Sequence, residues 1–434
     1  MIIGSYLYID GLIAVLRRVF MTSNYSDFFK FLSASLKEQN EVFSKQLILN
    51  PVENIPDPKY ISCSTSFLQG IYNSDKLRSE NELMNTKIQF ASRNSIATDI
   101  NQIYNVWCNI LKAKGISMRF FSGLHAHTTV FMAITDINDS VIHLPEKAGG
   151  HMATKTILER LGLNVYEMEI DYESKRIDIL KSQQLIEEIH PTVIFVDRSE
   201  GTIYEDFSWI SKYTDIYKIF DASQYLTNII ANDYMSPFDM GFNAILSTTH
   251  KNFPGPQRAL YCTKEKDTMW ERLYSKIGTY VSNMHPYSIY SLGLMLENFD
   301  MYKQLSHNML ENTKELKKEL LKHHLTVYEQ KPLSPNESIT HHIWILCPNK
   351  KFAFELYKRW EQYGFLTNYR LLPYNLGYGI RIGLSAATVS GLLPKDISEL
   401  ADLMSKTYYS IEYNSELHYL CEKFIKKIKE NSYV

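Results

Sequence analysis

The chain has 434 residues, 45% hydrophobic and 22% charged, with a formal net charge of -2; this is enough for two domains with sizeable cores, and it gives no bulk electrostatic footprint for nucleic acid or a membrane surface. The five cysteines (Cys63, Cys108, Cys262, Cys347, Cys421) are scattered with no CxxC pair, which argues against a disulfide framework or a structural metal site and for a reducing, cytoplasmic compartment. Tyrosine is frequent, at 30 residues, and implies no function.

Met1 to Leu16 is fairly apolar, but Asp10 interrupts it and Arg17-Arg18 follow the run. A signal peptide places its positive charge first, and no span reaches the length of a membrane helix. The segment reads as a docking helix, or as an over-long start ahead of Met21. Residues 25–46 carry helical spacing, with Phe28, Phe29, Phe31, Leu32, Leu36 and Val42 among polar residues. A loop containing Glu53-Asn54 follows, then a helix over 96–113 built on Ile100, Ile103, Trp107, Ile110 and Leu111.

Phe120-Phe121 runs into Ser122-Gly123 and a new helix. Such a turn can cup an anion, because the free N–H groups of a helix's first turn point outward, although most Ser-Gly turns at helix starts are simple caps. A strand over 140–144 leads to Gly149-Gly150-His151, where glycines let backbone pass close to a ligand. A buried strand over 192–196 ends at Asp197-Arg198-Ser199-Glu200. A helix over 205–214 and a strand over 215–220 then deliver Asp221.

The stretch with most chemistry is Ser247-Thr248-Thr249-His250-Lys251-Asn252-Phe253-Pro254-Gly255-Pro256, flanked by apolar runs at 243–246 and 259–262. It reads as strand, tight polar turn, strand. A loop lysine is ordinarily a solvated surface residue. Held in a partly dry pocket it can form a Schiff base with an aldehyde cofactor. Asp221, at a strand end a short interval upstream, suits the ring nitrogen of pyridoxal phosphate. Beyond residue 290 come a long amphipathic helix over 302–322 and a strand over 338–346. Adjacent His341 and His342 on that strand would point to opposite faces. Tyr378 to Ala386 carries Arg381; an arginine in a strand is more often an edge residue, but at a strand end it can clamp a carboxylate, and the C-terminal helices begin near Lys395. There is no internal repeat, low-complexity tract or flexible linker.

Thr248-Thr249-His250-Lys251 with Gly255-Pro256, Gly149-Gly150-His151, the strand end at Asp221 and Gly379-Ile380-Arg381-Ile382-Gly383 resemble, in order, the motifs of serine hydroxymethyltransferase, a fold-type I pyridoxal-phosphate enzyme. The resemblance spans roughly residues 45–410. It implies an α/β, aspartate aminotransferase-like fold: an N-terminal helical segment (1–50), a large cofactor domain with a mostly parallel, seven-stranded-type sheet (51–290) and a small α+β domain (291–434). It also implies a homodimer with shared active sites. Carried over by position, Lys251 holds the cofactor, Asp221 meets the ring nitrogen and His151 stacks on the ring. Ser122 and Gly123 hold the phosphate, Ser199 bonds near the phenolic oxygen, and Gln224, His250 and His285 complete the cofactor contacts. Arg381 clamps the substrate carboxylate, with Tyr72 and Glu53 also at the substrate.

Several positions depart from the family pattern. Val52 replaces a serine, Ser74 the proton-handling glutamate, Phe90 a tyrosine, Leu124 a serine, and Glu146 an apolar residue near the folate. Gln224 replaces a histidine, Arg258 falls one place late, and His285 and His341 replace a glycine and an asparagine. A serine cannot serve as acid or base near neutral pH. These losses count against tetrahydrofolate-dependent serine–glycine exchange. They favour an aldolase or transaldolase acting on a β-hydroxy amino acid, in specialised metabolism. The alternatives are an aminotransferase, racemase, decarboxylase or β/γ-replacement enzyme, or a non-catalytic homologue. Asp75, Gln224, Glu146, His125, His127 and His341 are candidates to replace the glutamate, with His125 and Glu146 preferred.

Overall fold

The computed structural model describes residues 25–433 except 58, 59, 61, 89 and 92. The expectations for Met1 to Leu16 and for a start at Met21 lie outside the described residues. The chain divides into an N-terminal unit ending at Leu47 and a unit beginning at Ile48. The first carries helix α1 (Tyr25–Ser44).

The second unit carries α2 (Arg93–Leu111), after two 3-10 turns and a short helix at Glu80–Met84, and is built on a seven-stranded sheet. Its strands are β1 (Gly115–Phe120), β2 (Ser140–His143), β3 (Asn164–Glu167), β4 (Val193–Val196), β5 (Tyr217–Asp221), β6 (Ala244–Thr248) and β7 (Ala259–Thr263). Their order is β1-β7-β6-β5-β4-β2-β3. β7 runs antiparallel to both its neighbours, and the remaining pairs are parallel. The mostly parallel sheet expected from the sequence is therefore present. Strands β1, β4, β5, β6 and β7 are buried at every residue, as strands covered on both faces must be. Alternation divides them between two cores. Ile194 and Val196 face Trp107 and the α2 side, while Val193 and Phe195 face Val130 and Phe131 on the other.

A three-stranded antiparallel sheet follows, of β8 (His342–Leu346), β9 (Asn368–Leu372) and β10 (Gly377–Gly383), with β10 central. It is flanked by long helices at Phe299–Lys322 and Ile397–Tyr409. Two local expectations differ. The helix expected over 205–214 is a short 3-10 turn, Ser208–Lys212. Asp206 Oδ1 accepts from the backbone N–H and hydroxyl of Ser208, and such local capture competes with an α-helix. The strand expected over 338–346 is broken: Ser338–Ile339 pairs with Ile203–Tyr204, and β8 starts at His342. His341 therefore lies outside strand alternation, and the two imidazoles meet edge-on with centroids 4.2 Å apart instead of facing opposite ways.

Phe120, Ala259 and Thr248 pair across the sheet in one row. The turns that follow β1 and β6 thus leave the same edge, close to Asp221 at the end of β5, whose neighbour on β6 is Leu246. Open α/β sheets bind ligands outside such carboxyl ends.

Candidate active site

Lys251 sits in the turn joining β6 to β7. Asn54 Nδ2 donates to the Lys251 carbonyl at 2.6 Å, and Asn252 ties the turn to Thr227 and Asn228. Burial pushes the Lys251 amine below its ordinary pKa, with Asp221 opposing the shift and Arg381 reinforcing it. Three residues the sequence placed in separate motifs therefore lie within electrostatic reach of one another.

Asp221 is buried. Its Oδ2 lies 2.8 Å from His127 Nε2, and its Oδ1 accepts from the Ser223 N–H. Burial pushes the carboxyl up, but His127 and Ser223 hold it below the usual carboxylate range. His151 stands beside this pair, its ring 6.0 Å from that of His127. Its Nδ1 accepts from the Ala153 N–H, which leaves any proton of the neutral ring on Nε2. Burial, His127 and Lys251 lower its pKa to about 4, and burial with Lys251 lowers that of His250 likewise to about 4.

The glycines before His151 are required by close approach. Gly149 has φ 93°, and a Cβ there would collide with the Glu200 carbonyl; one on Gly150 would collide with the Leu144 carbonyl. The two segments are joined by the Glu200 N–H to Gly149 carbonyl bond at 3.0 Å. Asp197 lies beneath, accepting from the Thr154 hydroxyl and the His151 N–H. Arg198 is tied to Glu205, Tyr374 and the Ala148 carbonyl.

Ser122 caps the helix Gly123–Ile134, accepting from the His125 N–H. Gly123 approaches so closely that an added Cβ would lie 2.9 Å from the Thr248 side chain. The candidate phosphate cup is therefore adjacent to the lysine turn. Beside it, Phe121 stacks on His125 and meets His285 edge-on. His285, at φ 50°, is held by Arg258, which donates to the Met284 and His285 carbonyls. The arginine that falls one place late in the motif is thus a buried brace under this turn.

Arg381 is buried, and burial lowers its pKa to about 10. Nε donates to Asn368 Oδ1 at 3.1 Å, and Nη1 lies 3.5 Å from Glu200 Oε1 and from the Ser199 carbonyl. Gln224 Oε1 lies 3.3 Å from His342 Nε2. Tyr72 and Glu53 are exposed. Tyr72 packs at a tilt against Phe90, ring centroids 4.6 Å apart.

The proposed replacements for the glutamate sort clearly. Asp75 is locked to Arg119, with Ser74 and Tyr104 closing the cluster. His341 is fully buried, its pKa lowered to about 3. His125 turns to Phe121, accepting its N–H at Nδ1. His127 is committed to Asp221, Gln224 faces His342, and Glu146 is exposed. Sequence reasoning missed Glu200, which the structure brings to Arg381, and the roles of His127 and Asn54. Only its position directly after Ser199 marked Glu200.

Pyridoxal phosphate fits these residues. Around Lys251, buried polar atoms of Thr248, His250, Gln224, Asp197, Glu200 and His342 have no hydrogen-bond partner among the described residues. Such a concentration of orphans suits a polar ligand. A half-buried amine, a buried carboxylate, an imidazole and a helix start at Gly123 are chemically suited to an aldehyde, a ring nitrogen, a ring face and a phosphate.

Residues 99–404 match the family model for serine hydroxymethyltransferase. The chain is 25% identical over 337 residues to the serine hydroxymethyltransferase of Sulfolobus acidocaldarius, covering 75% of this chain and 77% of that one. It is 24% identical over 323 residues to that of Pyrobaculum islandicum, covering 71% and 74%. The solved structure of an L-threonine transaldolase from Pseudomonas fluorescens superposes with a TM-score of 0.84 at 18% identity, covering 93% and 92%, which is a likeness of fold. With its motifs assembled at one sheet edge and the family model matched over most of its length, the chain belongs to the serine hydroxymethyltransferase family.

Proposed function

We propose that the chain is a pyridoxal-phosphate enzyme that makes or breaks the Cα–Cβ bond of a β-hydroxy amino acid, as an aldolase or transaldolase. The observation that carries this reading is the half-buried Lys251, its amine pushed below its ordinary pKa by burial, within electrostatic reach of both Asp221 and Arg381. When bound, the cofactor supplies an electron sink for a bond broken at Cα. Lys251 anchors the aldehyde, and its depressed pKa favours the nucleophilic amine. Asp221, kept ionised by His127, holds a proton at the ring nitrogen. His151, neutral, lies against the ring and orients it. Ser122, Gly123 and His250 bind the phosphate, with His285 beside them, and Ser199 and Gln224 complete the cradle. Arg381 receives the substrate carboxylate. Tyr72, exposed within one chain, serves the site of a second copy in a cytoplasmic homodimer, and Glu53, next to the Asn54 that tethers Lys251, serves the substrate in its own chain's site. The loss of a carboxylate at Ser74, the locked Asp75 and the burial of His341 favour chemistry that does without tetrahydrofolate.

The test is the visible absorbance of the holoenzyme during addition of glycine, then a simple aldehyde, with and without tetrahydrofolate. A long-wavelength band formed with glycine and discharged by aldehyde alone is the expected result. A band that needs tetrahydrofolate returns the enzyme to hydroxymethyl exchange. A holoenzyme unchanged by glycine favours another outcome at Cα on a different amino acid.

A further inference from the structure

Two arginines share one carboxylate at the substrate end of the site. Glu200 Oε1 is in direct contact with Arg370 Nη1 and lies 3.5 Å from Arg381 Nη1. Glu200 and Arg381 are almost completely buried, while the Arg370 side chain is 26% exposed. Sheet register produces the arrangement. Asn368 pairs with Arg381 and Arg370 with Gly379, so alternate residues of β9 and β10 present Asn368, Arg370 and Arg381 on one face. From the other side, the Glu200 backbone is pinned to Gly149. Its Oε2 has no hydrogen-bond partner among the described residues.

The charge balance decides what this can do. Arg370 has a second counter-charge in Glu146, within electrostatic reach, whereas Arg381 faces one carboxylate among the described residues, Glu200 at 3.5 Å, which an incoming carboxylate can replace. A dry arginine with no counter-ion is costly, and a buried carboxylate stripped of its partner equally so. We propose that Glu200 is an internal stand-in for the substrate carboxylate: it compensates Arg381 in the empty site, and Arg370 retains it when an amino acid takes Arg381. The exchange rests on the functional reading above, in which Arg381 binds the substrate carboxylate. Arg370 and Glu200 are positioning residues in it. Arg370 lies toward solvent, so Glu200 has a paired position to withdraw to without crossing the substrate's seat. Without Arg370, Glu200 falls onto Arg381 and competes with substrate.

The test is calorimetric titration of the amino acid substrate into holoenzyme, with KM and kcat measured alongside. Glu200→Gln removes the competitor and is expected to tighten binding severalfold. Arg370→Met strands Glu200 beside Arg381 and is expected to weaken binding by about tenfold or more, in KM more than in kcat. The double variant is expected to bind at least as well as wild type, and Arg370→Lys to remain near it. A double variant as weak as Arg370→Met would mean that Arg370 touches substrate itself, and would overturn the inference. Weaker binding in Glu200→Gln, which leaves both arginines in place, would overturn it too. A wild-type holoenzyme that binds no amino acid would overturn the functional reading and the inference together.

Discussion

His127 Nε2 and Asp221 Oδ2 lie 2.8 Å apart, both buried, so the acid at the end of β5 is held by a histidine from the helix that Ser122 caps. The pairing keeps a buried carboxylate ionised. His127→Leu removes it, and Asp221 then drifts upward under burial. Cofactor affinity is expected to fall by about tenfold, the usual order for a lost bond to a charged group. His127→Gln, which keeps a donor, should recover part of it. Equilibrium titration of apo protein with pyridoxal phosphate measures both.

Lys251→Ala is expected to abolish turnover and the visible absorbance of the lysine-linked cofactor while the far-ultraviolet circular dichroism stays unchanged. Asn54→Ala, which frees the carbonyl of the same residue, should leave the absorbance and slow the reaction, because the turn loses a 2.6 Å tether. Spectra and rates of the two variants separate attachment from positioning.

Asp75 is a structural acid. Asp75→Ala strands Arg119, which is 2% exposed, and breaking a buried pair costs about 3–5 kcal/mol. Urea denaturation of the variant should show that loss. The response of surviving folded protein to glycine should be that of wild type. A stable variant with a lost response would reassign Asp75 to the chemistry.

The buried histidines set an acid limit. His341 is held neutral by burial and by Arg381, with a pKa of about 3 against an ordinary 6.5. The unfolded chain therefore binds a proton that the folded chain refuses. Stability is full above pH 6.5 and declines as pH falls toward about 3. Between pH 6.5 and 5 the cost is about 2 kcal/mol for His341 alone, in a window where most carboxylates remain ionised. His342, pushed down in the same direction, adds to it. Thermal unfolding from pH 7 to 5 should show a falling midpoint, shallower in His341→Asn. A flat profile in the wild type would contradict it.

The sheet and the main motifs were legible because each is local. Thr248 to Pro256 is a turn between two apolar runs, Gly149-Gly150-His151 follows a strand, and Arg381 lies inside one. What escaped depends on pairing between distant segments. Arg370 meets Glu200 only once β9 is registered against β10 and packed on the chain after β4. His127 reads as one of four polar residues on its helix, with His125, Thr128 and Thr129, until β5 brings Asp221 to it. The turn at 208–212 escaped for the opposite reason: a single aspartate outcompeted a helical pattern through its own local bonds.

The row of Phe120, Ala259 and Thr248 makes the sheet a gauge for the site. The Ser122-Gly123 turn, the candidate phosphate cup, hangs from one end of that row and the lysine turn from the other, with only β7 between them. The span is two strand spacings, about 10 Å, and is set by backbone hydrogen bonds instead of side-chain choice. A slip of one residue between β6 and β7 would invert every side chain of the slipped strand and carry Lys251 away from the anchor of its own cofactor. The tolerance of the active site is therefore written into the pairing of Thr248 with Ala259. Substitutions that loosen this hairpin should behave as mispositioned lysines, even where Lys251 itself is intact.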